Sequence, residues 1–209
     1  MVDRRDLTAR AVIRDEALRL FAEHGPDAVT IRQIAAAAGV SAGLVVHHFG
    51  SKRGLRDAVD AHVGGVFDAL FDAFETDDPD ALRRLLAGRG GGSLAETLVA
   101  GLPPGSPVPA YLRRVLLAGD QAGTRLFRRW YAASQRITAT LVAAGVMRPG
   151  EDPAVRAAFL MANDLAVLLL RDQLADVLGA DPLSAEGLAR WFAEALAAYR
   201  DGVLTVDEA

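Results

Sequence analysis

The chain has no cysteine among its 209 residues. That excludes disulfides, zinc–thiolate sites and a thiol nucleophile. Lysine is nearly absent too, with Lys52 the single example. Aromatics make up 6% of the residues, and alanine and leucine supply most of the apolar content, which favours helix over strand. The N-terminal MVDRRDLTARAVIRDEALRLF carries scattered charges and holds no signal-peptide core. Long apolar runs are missing as well: AVRAAFLMANDLAVLLLRDQL is interrupted by Arg156, Asn163, Asp164 and Arg171. It falls short of the ~18 uninterrupted apolar residues that a membrane span needs. These absences imply a soluble, cytoplasmic protein.

What charge there is divides unevenly. Residues 1–56 hold nine arginines and lysines against six acids, +3, in a chain whose net charge is −4, so residues 57–209 carry −7. A basic head on an acidic body suits a polyanionic partner at one end only.

Every convincing periodicity is helical. Ile13, Ala17, Leu20 and Phe21 form one apolar stripe at i, i+4, i+7 and i+8, and Gly25-Pro26 stops that helix. Thr30-Ile31-Arg32-Gln33 fits a capping box, with Val29 and Ile34 placed as a hydrophobic staple. Gly39 ends this second helix after about two turns. Ser41 caps a third short helix, with Val40 and Val45 as its staple. Gly50 and Ser51 then restart the chain into a long fourth helix through roughly Phe74. Beyond it, GRGGGS (88–93) and GLPPGSPVP (101–109) are connections between short helices near 79–87, 93–101 and 108–118. Three long helices follow, over 121–145, 153–178 and 183–202. The middle one is apolar nearly all round, which implies burial on two sides. The reading is all-α, with a small unit over 1–56 and a larger one over 57–209.

The two short helices contribute little core, so they want another purpose. Ile34, Ala35, Gly39, Val40 and Val45 match the spacing of a helix-turn-helix. In that arrangement the second helix, about Ala42–His48, projects its N-terminal residues into a major groove. Ser41 and the free amides at its start suit a phosphate.

Residues 8–58 resemble the DNA-binding region of the tetracycline-repressor (TetR) family. The stretch ALRLFAEHGPDAVTIRQIAAAAGVSAGLVVHHFGSKRGLRDAV carries LF-x-x-x-G, a threonine before the second helix, I-A-x-x-A-G-V-S, H-F and S-K-x-x-L. The resemblance implies a DNA-binding transcriptional regulator, a repressor that binds a palindromic operator as a homodimer and is released by a small, largely apolar ligand. A regulator whose body serves dimerisation alone shares every feature of the head. The chain departs from the pattern at Val46, where the family places a tyrosine against the DNA backbone, and at Ala42, often a polar position.

On this resemblance His47 is the direct reader of a base edge or phosphate. Ala42 and Leu44, flanking Gly43, offer contacts to thymine methyl groups. His48, Ser41, Thr30, Arg32 and Lys52 are phosphate contacts, which set register and salt dependence rather than sequence. Arg4-Arg5 suits a minor groove. A metal is not expected, because His47 and His48 are adjacent and so ~100° apart on a helix, and HExxH does not occur. Nor is an enzyme: there is no nucleophile–base pair, and GRGGGS lacks the lysine of a phosphate-binding loop. No cofactor is implied.

For the body, the resemblance implies a ligand cavity with candidates Phe67, Phe71, Tyr111, Phe127, Trp130, Tyr131, Gln135 and Asn163. It also implies a dimer built from the last two long helices, through Leu165, Leu169, Leu188, Trp191, Phe192, Leu196 and Tyr199.

Overall fold

The computed structural model describes residues 4–72, 101–103 and 105–201, and the side chains of 8–66, 101–103 and 105–200. Among the described residues there are nine α-helices and no strand. The expected helix near 79–87, and all but the last residue of that near 93–101, lie outside them.

Helix α1 (Arg4–His24) buries Ile13, Ala17 and Phe21 of the expected stripe, while Leu20 is only half-buried and Leu18 is buried beside them. Helix α2 (Ile31–Ala37) opens on the reciprocal cap expected of Thr30 and Gln33. The Thr30 hydroxyl accepts from the Gln33 amide at 3.2 Å, and the Gln33 side chain accepts from the Thr30 amide at 2.8 Å. Helix α3 (Ala42–Phe49) starts where Ser41 Oγ accepts from the Leu44 amide. Helix α4 (Lys52–Asp72) follows at once. Ile13, Phe21, Val29, Ile34, Val45, Leu55 and Val59 are fully buried, and each such side chain stabilises the fold by about 1.5–3 kcal/mol.

Helices α5 (Val108–Leu117) and α6 (Gln121–Ala143) come next. Helix α7 (Pro153–Leu169) is capped by Asp152, whose carboxylate accepts from the Ala154 and Val155 amides. Helices α8 (Arg171–Leu178) and α9 (Ala185–Asp201) complete the described chain.

The single helix expected over 153–178 is two helices in the structure. It breaks at Leu170, and the axes of α7 and α8 diverge by 75°. Neither glycine nor proline causes this. Just past the break Arg171 donates two hydrogen bonds to the Asp181 carboxylate, Nε at 2.9 Å and Nη2 at 2.6 Å, which closes the chain on itself across α8. No residue of α8 is buried. Among the described residues, no single helix is long and apolar enough to cross a membrane.

The chain divides into two compact units, Met1–Ala69 with Pro104–Arg128, and Leu70–Pro103 with Arg129–Ala209.

Candidate nucleic-acid interface

The turn between α2 and α3 is held from within. Gly39 takes a φ of 67°, a left-handed conformation cheap only for glycine, and the Val40 amide returns to the Ala35 carbonyl at 2.9 Å. With Ile34, Ala35 and Val45 buried, α3 is fixed on its inner face and open on its outer one. Ser41, Gly43, Val46 and His47 are exposed, whereas Ala42, Leu44 and His48 are half-buried. Val46 is 45% exposed, so an apolar surface stands where the family resemblance places a tyrosine. The His47 and His48 rings meet edge-on at 5.5 Å. Thr30 and Arg32 are exposed at the start of α2, but the Thr30 and Ser41 hydroxyls already accept helix amides. Among the described residues no group of three or more metal-ligating side chains assembles.

Lys52 does more than begin α4. Its Nζ donates to the Asp27 carbonyl at 3.1 Å, tying α4 to the turn after α1. Further along α4, the Arg56 guanidinium pairs with the Asp120 carboxylate and stands 4.0 Å from Asp60. The Tyr111 hydroxyl donates to Asp60 at 2.5 Å. Burial pushes the Asp60 carboxyl above its ordinary value, against the pull of Tyr111 and Arg56. Burial also raises the Tyr111 hydroxyl, with Asp60 adding to the effect. The Gly123 amide, and then Arg56, hold Asp120 low. Arg114 of α5 donates to the Ala22 and Glu23 carbonyls at 3.3 and 3.0 Å, a cation on the negative end of α1. Sequence reasoning assigned no role to Arg56, Asp60, Arg114 or Asp120. Local spacing offers only Arg56 with Asp60, four residues apart, and Asp120 with the Gly123 amide; the contacts to other helices are 51 to 92 residues away and have no local signal.

Residues 13–59 match the profile described as bacterial regulatory proteins, tetR family. Residues 105–205 match the tetracyclin repressor-like C-terminal domain. The HTH-type transcriptional regulatory protein RaaS of Mycobacterium tuberculosis is 37% identical over 156 residues, 74% of this chain and 67% of that one. The chain belongs to the TetR family. It is therefore a DNA-binding transcriptional regulator, not an enzyme. The solved structure of SmeT, the repressor of the Stenotrophomonas maltophilia multidrug efflux pump SmeDEF, has a TM-score of 0.69 to this chain. Its identity is 25%, over 94% of this chain and 93% of that one. A SmeT–triclosan complex gives a TM-score of 0.67 at 23% identity, covering 95% of each chain.

In this TetR-family chain the expected ligand residues divide between the units. Tyr111 is buried against Asp60, and Phe127 is exposed; both belong to the first unit. Phe67 and Phe71 lie on α4, with side chains outside those described. In the second unit Trp130 is buried, Gln135 is exposed, and the Tyr131 hydroxyl donates to the Ala154 carbonyl at 3.2 Å. The Asn163 side-chain nitrogen is buried without a hydrogen-bond partner among the described residues, a cost unless something supplies an acceptor. Of the expected dimer residues, Leu165, Leu188 and Phe192 are buried within the chain, Leu169 and Trp191 are half-buried, and Leu196 and Tyr199 are exposed. The Phe159 ring meets Tyr199 edge-on at 6.5 Å and is itself 61% exposed, with Val155 at 62%. Sequence reasoning did not single out Val155 or Phe159. Their spacing of four along an all-apolar helix gives no preference for one face.

Proposed function

We propose that this TetR-family regulator is a repressor that binds a palindromic operator as a homodimer and is released by a small, largely apolar molecule. The observation that carries the reading is α3: capped by Ser41, anchored by Val45, and exposed along Gly43, Val46 and His47. In this reading His47 reads a base edge, Ala42 and Leu44 meet thymine methyl groups, and Arg32 and His48 contact phosphate. The pairing surface is the exposed apolar group Val155, Phe159, Leu196 and Tyr199, the kind of patch that marks an interface. Two copies of α3 then stand ~34–36 Å apart, one turn of DNA.

Release works as a shift between two dimer states, by the ligand's differential affinity for them. Helix α4 carries the shift, because Arg56 and Asp60 join it to Asp120 and Tyr111. The triclosan-bound SmeT structure and the unpartnered Asn163 nitrogen support an effector that brings a hydrogen-bond acceptor into an otherwise apolar site. The test is a mobility shift on intergenic DNA flanking the gene, repeated with a panel of hydrophobic metabolites. A retarded band that weakens steeply with salt and is released by one panel member is expected. No retarded band on any flanking segment overturns the proposal.

A further inference from the structure

The passage from α3 to α4 is made by FGSKRG, residues 49–54. Gly50 has φ 72° and ψ −46°, and the Ser51 amide donates to the Phe49 carbonyl at 2.8 Å. Together these make a γ-turn of the rare positive-φ kind. The turn brings the Phe49 carbonyl over the first turn of α4. A methyl group on Gly54 would stand within 3.0 Å of that oxygen, closer than real side chains come, and the obstacle is backbone rather than a movable side-chain tip. Gly54 itself has no positive φ. Space, not conformational freedom, is what glycine supplies here.

The rest of the junction is pinned around it. Ser51 Oγ accepts from the Gly54 amide at 3.1 Å. The Arg10 guanidinium lies 5.3 Å from the centre of the Phe49 ring, and Lys52 is bonded to the Asp27 carbonyl. The same construction recurs at two other helix starts. Asp120 accepts from the Gly123 amide at 2.9 Å, and Ser184 from the Gly187 amide at 3.0 Å. A methyl on either glycine would likewise strike a carbonyl, of Val115 or of Asp181. Each is a cap followed three residues later by glycine, where the preceding segment presses its backbone onto the new helix. By contrast Gly65, also in α4, has nothing within 4 Å of such a methyl among the described residues.

We propose that Gly54 is a positioning residue for DNA reading. By leaving room for the Phe49 carbonyl, it fixes the angle at which the recognition helix α3 meets α4. The proposal rests on the reading of α3 as the helix that enters the groove. It is tested on the full chain with two probes, a duplex that the wild-type protein enriches from a random library and a scrambled duplex of the same composition. Gly54→Ala is expected to weaken binding to the enriched duplex by roughly tenfold or more, the size of one lost base contact. Its binding to the scrambled duplex changes by less than about threefold, because phosphate contacts carry no sequence information. Gly65→Ala leaves both affinities as they were.

Should Gly54→Ala fail to fold by circular dichroism, Ser51→Ala takes its place. It loosens the same junction without adding an atom, and is expected to lower the ratio of the two affinities. An unchanged ratio in folded Gly54→Ala, or in Ser51→Ala where that variant is needed, overturns the proposal. A wild-type chain that enriches no duplex overturns it at its foundation, the DNA-reading role of α3.

Discussion

In the first unit Arg56, Asp60, Tyr111 and Asp120 close on one another, and Arg114 closes on the end of α1. In the second, Val155, Phe159, Leu196 and Tyr199 face outward, and α8 adds Val177 at 74% exposure. The first unit exposes apolar side chains too, Val46 on the surface proposed to meet DNA and Val12, Leu117 and Phe127 away from it. The contrast is between a unit tied by polar contacts 51 to 92 residues apart and one in which exposed apolar side chains meet, Phe159 against Tyr199. A reader of nucleic acid needs a fixed helix angle; a body that must pair needs surface to spare.

The largest expected effect strikes the uncovered surface. Phe159→Glu sets a charge on a face proposed to pair, while the exposed position in the single chain tolerates it. Sedimentation is expected to show a monomer, and affinity for the enriched duplex to fall about a hundredfold or more as the linkage between two heads is lost. A dimeric Phe159→Glu would move the interface elsewhere. Next comes the first unit. Tyr111→Phe leaves Asp60 without its hydroxyl donor and is expected to cost about 1–3 kcal/mol in urea unfolding, with the dimer intact. Thr30→Ala removes one cap of α2 and is expected to cost about 1 kcal/mol. No loss of stability in Thr30→Ala would mean that α2 is held by its packing alone.

The smallest effect is electrostatic and has opposite signs in the two units. Arg171 holds the Asp181 carboxyl below its usual 3.8, so the unfolded chain takes up the proton at higher pH than the folded chain does. The stabilisation from Asp181 is complete above about pH 4 and is lost as pH falls through the lowered folded value. Burial raises Asp60 instead, so its contribution is present below 3.8 and is lost as pH rises through the folded value. Asp181→Asn is therefore expected to flatten the acid limb of stability against pH, measured by urea titration at a series of pH values. An unaltered acid limb would show that the Arg171–Asp181 pair adds nothing in solution.

The parts of this fold that were legible in the sequence are those whose partners sit close by. Thr30 with Gln33, and Ser41 with the Leu44 amide, lie three residues apart, so residue type and spacing specify them. The contacts that place α4 are of another kind. Lys52 reaches Asp27 across 25 residues, and Arg56 reaches Asp120 across 64; only the assembled fold brings them together. Leu170 breaks a helix in a run of leucines with no glycine or proline to announce it. The pair beside the break, Arg171 with Asp181, spans ten residues, and only the folded chain brings it together. On the interface, the helix spacing exposes α3 in outline, but the carbonyl over Gly54 depends on a turn that residue type alone does not fix.

The central claim is that a head complete in one chain reads DNA only as half of a two-fold pair. Footprinting of the enriched duplex, with the bound mass measured on the same sample, tests it most directly. Two protected half-sites one helical turn apart, filled by two chains, are expected. A single protected site filled by one chain with undiminished affinity would contradict it.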